Sequence, residues 1–277
     1  MDSLPPLNYL NNKDLLLAIH QSKNSFCEFI DPAFEDYDII IHPDSFNLPE
    51  TEEHSLSFLL SQCLKEETLK QALQNRLHKM NSQIKGKNKP RHNESSVDVN
   101  TLVYRILSYD HIPYDTSGRK KNPKTIGDIK EKISFTPYVH YIIKDGVPIE
   151  VGKSHFKNGE FNPRAGNISD KLADMFVVLV NRYSQRSNWR GYTYINEMKG
   201  HALLHLVNMG LRFNEHKSDN PFSYYTQAIT NSFTRVLNEE KVHQDIRDDL
   251  LEELGHNPSN TRQLENDEEI RASRMDI

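Results

Sequence analysis

Apolar residues recur at three- and four-residue steps along several stretches of the chain, the spacing of one face of an α-helix. In the first stretch Leu15, Leu16 and Ile19 follow Asn11 and Asn12, either of which can cap a short helix. A second pattern runs from about 55 to 80, with Leu56, Leu59, Leu60, Cys63 and Leu64 on one side. The stripe Ile168, Leu172, Met175, Phe176, Leu179, Val180 and Tyr183 predicts a further amphipathic helix, which stops near Ser187. After a Trp189-Arg190-Gly191 turn comes the stripe Ile195, Met198, Ala202, Leu206, Met209 and Phe213. The next helix starts with Asn220 as cap and Pro221 at its first position, where a missing N–H costs nothing. Its packing stripe is Phe222, Tyr225, Ile229, Phe233 and Val236, opposite Tyr224, Gln227, Asn231, Arg235 and Asn238. One more helix is expected near 245–254, ended by Gly255, with little order past Pro258.

A different period appears at Tyr138–Ile143 and Val147–Val151, two β-rich runs separated by Lys144-Asp145-Gly146. Asp-Gly between such runs predicts a hairpin, and Pro148 places its second strand at an edge. The predicted organisation is an N-terminal helical segment over 1–80 and a flexible basic linker over 81–98, built on Lys85, Lys87, Lys89 and Arg91. A mixed segment with the hairpin occupies 99–164, a helical domain 165–255, and a disordered acidic tail 256–277. The fold class is mainly α, with a mixed α+β N-terminal or inserted part.

Composition narrows the functional classes. With 36% hydrophobic and 26% charged residues, the chain is expected to combine a small core with disordered stretches. Two cysteines, Cys27 and Cys63, cannot form a disulfide framework, and a reducing compartment is the simplest expectation. No apolar run has the length of a membrane span, and Met1–Pro6 lacks a secretion-signal pattern. Thirty-four Lys and Arg against 39 Asp and Glu give a net charge of −5, which argues against bulk nonspecific binding of nucleic acid. A small DNA-contacting face delivered by a partner remains compatible with that balance.

Three constellations could carry chemistry. The exposed side of the Pro221 helix combines an aromatic ring, amides and a guanidinium, groups that stack unpaired bases, bond base edges and pair with phosphate; the same mixture suits an ordinary solvated face. Glu197, His201 and His205 stand at i, i+4 and i+8, so a metal-dependent hydrolase is a competing expectation. The order is not His-Glu-x-x-His, however, and helix-surface or partner contacts explain these residues more simply. Asp110, His111 and Asp115 are a weaker acid–base grouping. The chain has no Walker loop, Gly-x-Gly-x-x-Gly or Gly-x-Ser-x-Gly motif. Ser55–Leu60 could dock a partner's groove but reads first as core.

The run Phe213-Asn214-Glu215 followed by Asn220–Phe233 resembles region 2 of bacterial sigma factors, where a Phe-Ser-x-Tyr motif leads into an aromatic helix with Gln-Ala-Ile. It is more closely similar to the late-transcription sigma factors of large myoviruses, through Tyr9–Leu16, Gly191-Tyr192-Thr193 and Asn196-Glu197-Met198 in that order. The likeness covers about 7–20 and 165–242. It implies a sigma-region-2-like helical bundle that binds the clamp helices of the largest subunit of host RNA polymerase core through Asn196, Glu197, His201 and His205. It implies recognition of an AT-rich −10-type late promoter, with the melted nontemplate strand held by Tyr224, Tyr225, Gln227, Asn231 and Arg235. Where sigma factors carry an acidic residue followed by glycine, this chain has His201-Ala202. Whether a phage sliding clamp and a coactivator take part is left open. The expectation is a DNA- and polymerase-binding protein of the host cytoplasm, with no catalysis, cofactor or metal of its own. An RNA-polymerase adaptor, anti-sigma or coactivator, is the alternative.

Overall fold

The computed structural model describes residues 10–42, 56–84, 90–113 and 125–275. The chain divides into two compact units: residues 1–176 with 207–224, and residues 177–206 with 225–277. Among the described residues no helix is long and apolar enough to cross a membrane.

The first unit is built on a five-stranded sheet in the order β1-β5-β4-β3-β2, from β1 (Cys27–Phe29), β2 (Ile39–Ile41), β3 (Val103–Leu107), β4 (Tyr138–Lys144) and β5 (Val147–Ser154). The β4–β5 hairpin forms as the Asp-Gly signal predicts. Asp145 and Gly146 turn at φ 52° and 78°, and Lys144 faces Val147 across the turn. Pro148 sits where β5 extends beyond β1, which pairs only with residues 152–154. The remaining pairs are antiparallel except β2–β3, which is parallel. A parallel neighbour needs a crossover, and α2 (Leu56–Cys63) and α3 (Glu66–Gln83) lie between those two strands in sequence.

Side-chain alternation then gives the sheet two unlike faces. Tyr104, Ile106, Val139 and Tyr141 join Ile41, Leu59, Cys63 and Ala72 in an apolar core beneath α2 and α3. The intervening Arg105 and His140, paired across β3 and β4, point to the opposite face. On that side lies α1 (Asn12–Asn24), whose N-cap is Asn11: its Oδ1 accepts the Asp14 N–H at 2.7 Å. Leu15, Ala18 and Ile19 of α1 are buried.

Two segment boundaries need correction. The 1–80 stretch is not helical throughout, because β1 and β2 belong to the sheet. The 81–98 stretch is not wholly a linker: α3 runs to Gln83, and Asn81 Oδ1 accepts the His92 N–H at 2.8 Å. The basic residues Lys85, Lys87 and Lys89, like Tyr9 and Asp115, lie outside the described residues. The rest of 99–164 adds α4 (Ile126–Lys132) and a two-stranded pair, β6 (Phe156–Lys157) with β7 (Glu160–Phe161).

Gly152 marks a close approach in the sheet. A Cβ there would lie 2.2 Å from a ring carbon of Phe29, its partner on β1. That ring lies 5.2 Å from the His140 imidazole across the strand. Gly152→Ala is therefore expected to cost about 1–3 kcal/mol by overpacking, read as a lower urea midpoint; an unchanged midpoint would show that Phe29 swings away freely.

The helical stripes correspond to α5 (Asp170–Ser184), α6 (Ile195–Met209) and α7 (Pro221–Glu253). In the second unit Phe233 packs edge-on against Tyr183 and Trp189, both with ring centroids 5.3 Å away, and the Tyr183 hydroxyl lies 2.7 Å from Thr230 Oγ1. The helices expected at 221–236 and 245–254 are one element of 33 residues. Gly255 ends it at φ 74°. The expected disordered tail is corrected as well: Asn260–Met275 forms α8. The Asp248 carboxylate accepts the N–H and hydroxyl of Ser259 at 2.8 and 2.6 Å, and Arg262 pairs with Asp249, fastening α8 to α7.

Candidate functional site

In the second unit α6 buries Met198, Ala202 and Leu206. A 3.6-residue period then turns Asn196, Glu197, His201 and His205 outward, and all four are exposed. Glu197 Oε1 and His201 Nε2 stand 4.0 Å apart. Among the described residues no three His, Cys, Asp or Glu side chains converge to hold a metal ion, so the Glu197/His201/His205 hydrolase set is not assembled. Asp110 and His111 are likewise committed to structure: Asp110 accepts the Leu56 N–H, and His111 Nε2 lies 3.2 Å from the Ser154 carbonyl.

On α7 the packing side buries Tyr225, Ile229, Phe233 and Val236. Tyr225 is 0% exposed, which corrects its place among base-contacting residues: its ring sits on the core side of the helix and cannot stack on a base in this conformation. Phe222, expected in the same stripe, is 40% exposed at the first turn. Gln227, Asn231 and Arg235 face solvent. They are partly satisfied along the helix: Gln227 Nε2 donates to Asn231 Oδ1 at 2.9 Å, and Arg235 Nε to Glu239 Oε1 at 2.8 Å. A phosphate approaching Arg235 therefore competes with a carboxylate four residues on.

Tyr224 belongs to the first unit, half-buried and edge-on to Phe213 at 5.4 Å. Burial raises its phenol pKa, partly offset by the nearby Arg212. Here two stretches far apart in sequence meet. Asn12 Oδ1 accepts the Phe222 N–H at 3.1 Å, and Lys23 Nζ donates to the Phe213 carbonyl at 2.8 Å.

The most strongly organised polar cluster was not among the sequence expectations. Arg105 is 1% exposed, and its guanidinium carbon lies 3.9 Å from the Tyr37 ring centroid and 4.0 Å from that of Tyr138. Each side of the guanidinium edge has a partner. Nε donates to His140 Nε2 at 2.9 Å, Nη1 to Glu215 Oε2 at 3.3 Å, and Nη2 lies 3.3 Å from His20 Nδ1. Lys23 Nζ stands 3.2 Å from Glu215 Oε1. Burial pushes the Glu215 carboxyl upward, but Lys23 and Arg105 outweigh it and hold the pKa below the usual range. Burial, then Arg105, lowers His20 to about 4, and the same two causes hold His140 well below its ordinary value. Both imidazoles are thus neutral near pH 7, and burial lowers the Lys23 pKa against the opposing pull of Glu215. A cavity of about 20 Å³ beside Lys23, Arg105 and Glu215 has room for roughly one water molecule.

One local signal pointed here: Arg105 interrupts the apolar run Leu102–Leu107. No family model, curated protein or solved structure matches this chain.

Proposed function

We propose that the chain acts as a phage late-transcription sigma factor, a binding protein without catalysis of its own that works in the host cytoplasm. In this reading Asn196, Glu197, His201 and His205 engage the clamp helices of host RNA polymerase core. Tyr224, Gln227, Asn231 and Arg235 hold the melted nontemplate strand of an AT-rich −10-type element. The reading is carried by the ordered series of sigma-like motifs from Tyr9 to Phe233. It is supported by the exposure of the four α6 residues and of Gln227, Asn231 and Arg235. Stacking a base on an aromatic ring offsets the few kcal/mol of unstacking that strand opening costs, and AT-rich steps are the cheaper ones to open.

One observation favours the adaptor reading instead. The Gln227–Asn231 and Arg235–Glu239 pairs occupy bonding groups of the α7 face that a bound strand would have to displace. Transcription by sigma-free bacterial core on supercoiled templates, with and without an AT-rich −10 element, separates the two. A sigma factor gives initiation that depends on both protein and element. Replacing Tyr224, Gln227 and Arg235 together by Ala should lower it about 10–100-fold, the loss of one stacked base and its polar contacts, while core binding is retained. Core binding without any element-dependent initiation assigns the adaptor role, and failure to bind core removes both readings.

A further inference from the structure

A second feature of the first unit has no counterpart in the sigma-like motifs. Between the end of β3, α4, the start of β4 and the loop before α7 lies an open pocket of about 160 Å³, lined by Tyr109, Lys130, Ile133, Phe135, Thr136 and Arg212. Its floor is apolar and aromatic, since Ile133 and Phe135 are buried. Its rim carries two exposed cations, Lys130 and Arg212, and among the described residues no acidic side chain lines it. Two nearby carboxylates have structural partners: Asp110 accepts the Leu56 N–H, and Asp128 accepts the Thr125 N–H.

Two further observations place basic groups close to this pocket in a chain of net charge −5. Lys23 Nζ lies 5.6 Å from the centroid of the Phe135 ring, behind the floor. Thr136 lines both the pocket and the small cavity beside Lys23, Arg105 and Glu215, so the two cavities are neighbours. Low-dielectric surroundings strengthen the field of such groups at a pocket mouth.

An aromatic floor with two cations at the rim suits a planar heteroaromatic ring joined to a phosphate. We infer that this pocket binds one nucleotide of a single-stranded nucleic acid, with the base against Tyr109 and the floor and a phosphate between Lys130 and Arg212. Arg212 is also close enough to Tyr224, the residue assigned above to base stacking, to influence its phenol. Lys130 Nζ already lies 5.9 Å from the Tyr109 ring centroid, close enough to bridge ring and phosphate.

The choice of a strand as ligand rests on the proposed function; the pocket's affinity for nucleotide phosphate does not. The test is fluorescence anisotropy of a labelled oligothymidylate of about ten nucleotides with the full chain at low salt. Titrations use wild type, Lys130→Ala, Arg212→Ala and the double variant, with the thermal melt as a folding control. The double variant should bind about tenfold more weakly, and the slope of log affinity against log salt should fall by about 0.7 for each phosphate that no longer pairs with a cation. Lys130→Glu should weaken binding further than Lys130→Ala. Equal affinity of wild type and double variant, or no measurable binding by wild type at low salt, overturns the inference. Competition by thymidine monophosphate as tight as the oligonucleotide's own binding assigns the pocket to a free nucleotide and overturns the strand. Absence of element-dependent transcription from wild type, with oligonucleotide binding that the double variant weakens, refutes the sigma reading alone; element-dependent transcription with equal oligonucleotide affinity of wild type and double variant refutes the pocket alone.

Discussion

Glu215→Ala should destabilise the first unit by about 3–5 kcal/mol, the cost of stranding buried charge. The carboxylate is the counter-ion for two side chains that water barely reaches, Lys23 at 6% and Arg105 at 1% exposure. Neither neighbouring imidazole can take over as an anion, and protonating either would add positive charge. Removing the carboxylate leaves two cations; removing Lys23 instead leaves a balanced Arg105–Glu215 pair. Lys23→Met should therefore cost only the bond to the Phe213 carbonyl and some residual mismatch, about 1–2 kcal/mol. The asymmetry between the two variants is the diagnostic quantity. A chain of two units need not unfold in a single step, so the readout is hydrogen exchange at the β3 and β4 amides, which reports on this sheet. Equal losses for Glu215→Ala and Lys23→Met would mean that the net charge of the cluster is neutralised by another group.

The consequence reaches the segment that carries much of the sigma-like pattern. Residues 213–222 are fixed to α1 by the Phe213 carbonyl, the Glu215 carboxylate and the Phe222 N–H. Tyr224 follows directly and leans on Phe213. Glu215→Ala should thus raise amide exchange across 213–222 as well as in the sheet. Under the proposed sigma reading, its effect on initiation would come through position, because the Glu215 side chain is largely buried.

What could be read from the chain follows the range of the physics involved. The α1 start depends on Asn11 and Asp14, three residues apart, and the β4–β5 turn on Asp145 and Gly146; both were legible. So were α5, α6 and the first part of α7, whose stripes persist over three turns or more. The strands β1 and β2 were not recognised, because three residues are too few to display a period of two, although the Ile39-Ile40-Ile41 triplet was a usable hint. α8 was missed because its acidic composition reads as solvated coil; side-chain bonds from Asp248, Asp249 and Glu252 to the chain after Pro258 supply what composition does not reveal. The buried cluster gathers His20, Lys23, Tyr37, Arg105, Tyr138, His140 and Glu215 from across the unit, and no local spacing encodes such a meeting. On α7 the helical period placed Gln227, Asn231 and Arg235 outward correctly, yet it could not show that they would bond to one another and to Glu239.

The same buried histidines predict a large loss of stability in mild acid. His140 Nδ1 lies 2.7 Å from the Phe34 carbonyl, which only accepts, while Arg105 Nε, which only donates, faces Nε2. The ring is therefore held as the neutral Nδ1–H tautomer, and a second proton would set N–H against N–H beside a guanidinium. His20 is constrained likewise at Nδ1 by Arg105. Burial lowers His111 to about 4 and His155 to about 3, the latter packed 4.4 Å from the Phe135 ring centroid. In the unfolded chain each imidazole takes up its proton near pH 6.5. Below that pH the unfolded state binds more protons, so stability present at pH 7 falls as the pH drops toward 4. Each fully linked proton contributes about 1.4 kcal/mol per pH unit. Four histidines acting together remove up to about 11 kcal/mol over the two units below pH 6.5, comparable with a stability of about 5–15 kcal/mol, which places an acid transition of the first unit between about pH 5 and 4.5. Glu215, whose pKa is lowered, loses its contribution in the same direction but only below its usual range near 4.5. The measurement is unfolding free energy against pH from 7.5 to 4.5, together with imidazole proton resonances of the native state. A slope equivalent to three or four protons, with these four rings neutral until the sheet unfolds, is the expected result. Native-state titration of His140 near pH 6.5 would mean that its ring leaves Arg105 and Phe34 at little cost, and the cluster would then be a mobile polar pocket in place of a fixed electrostatic core.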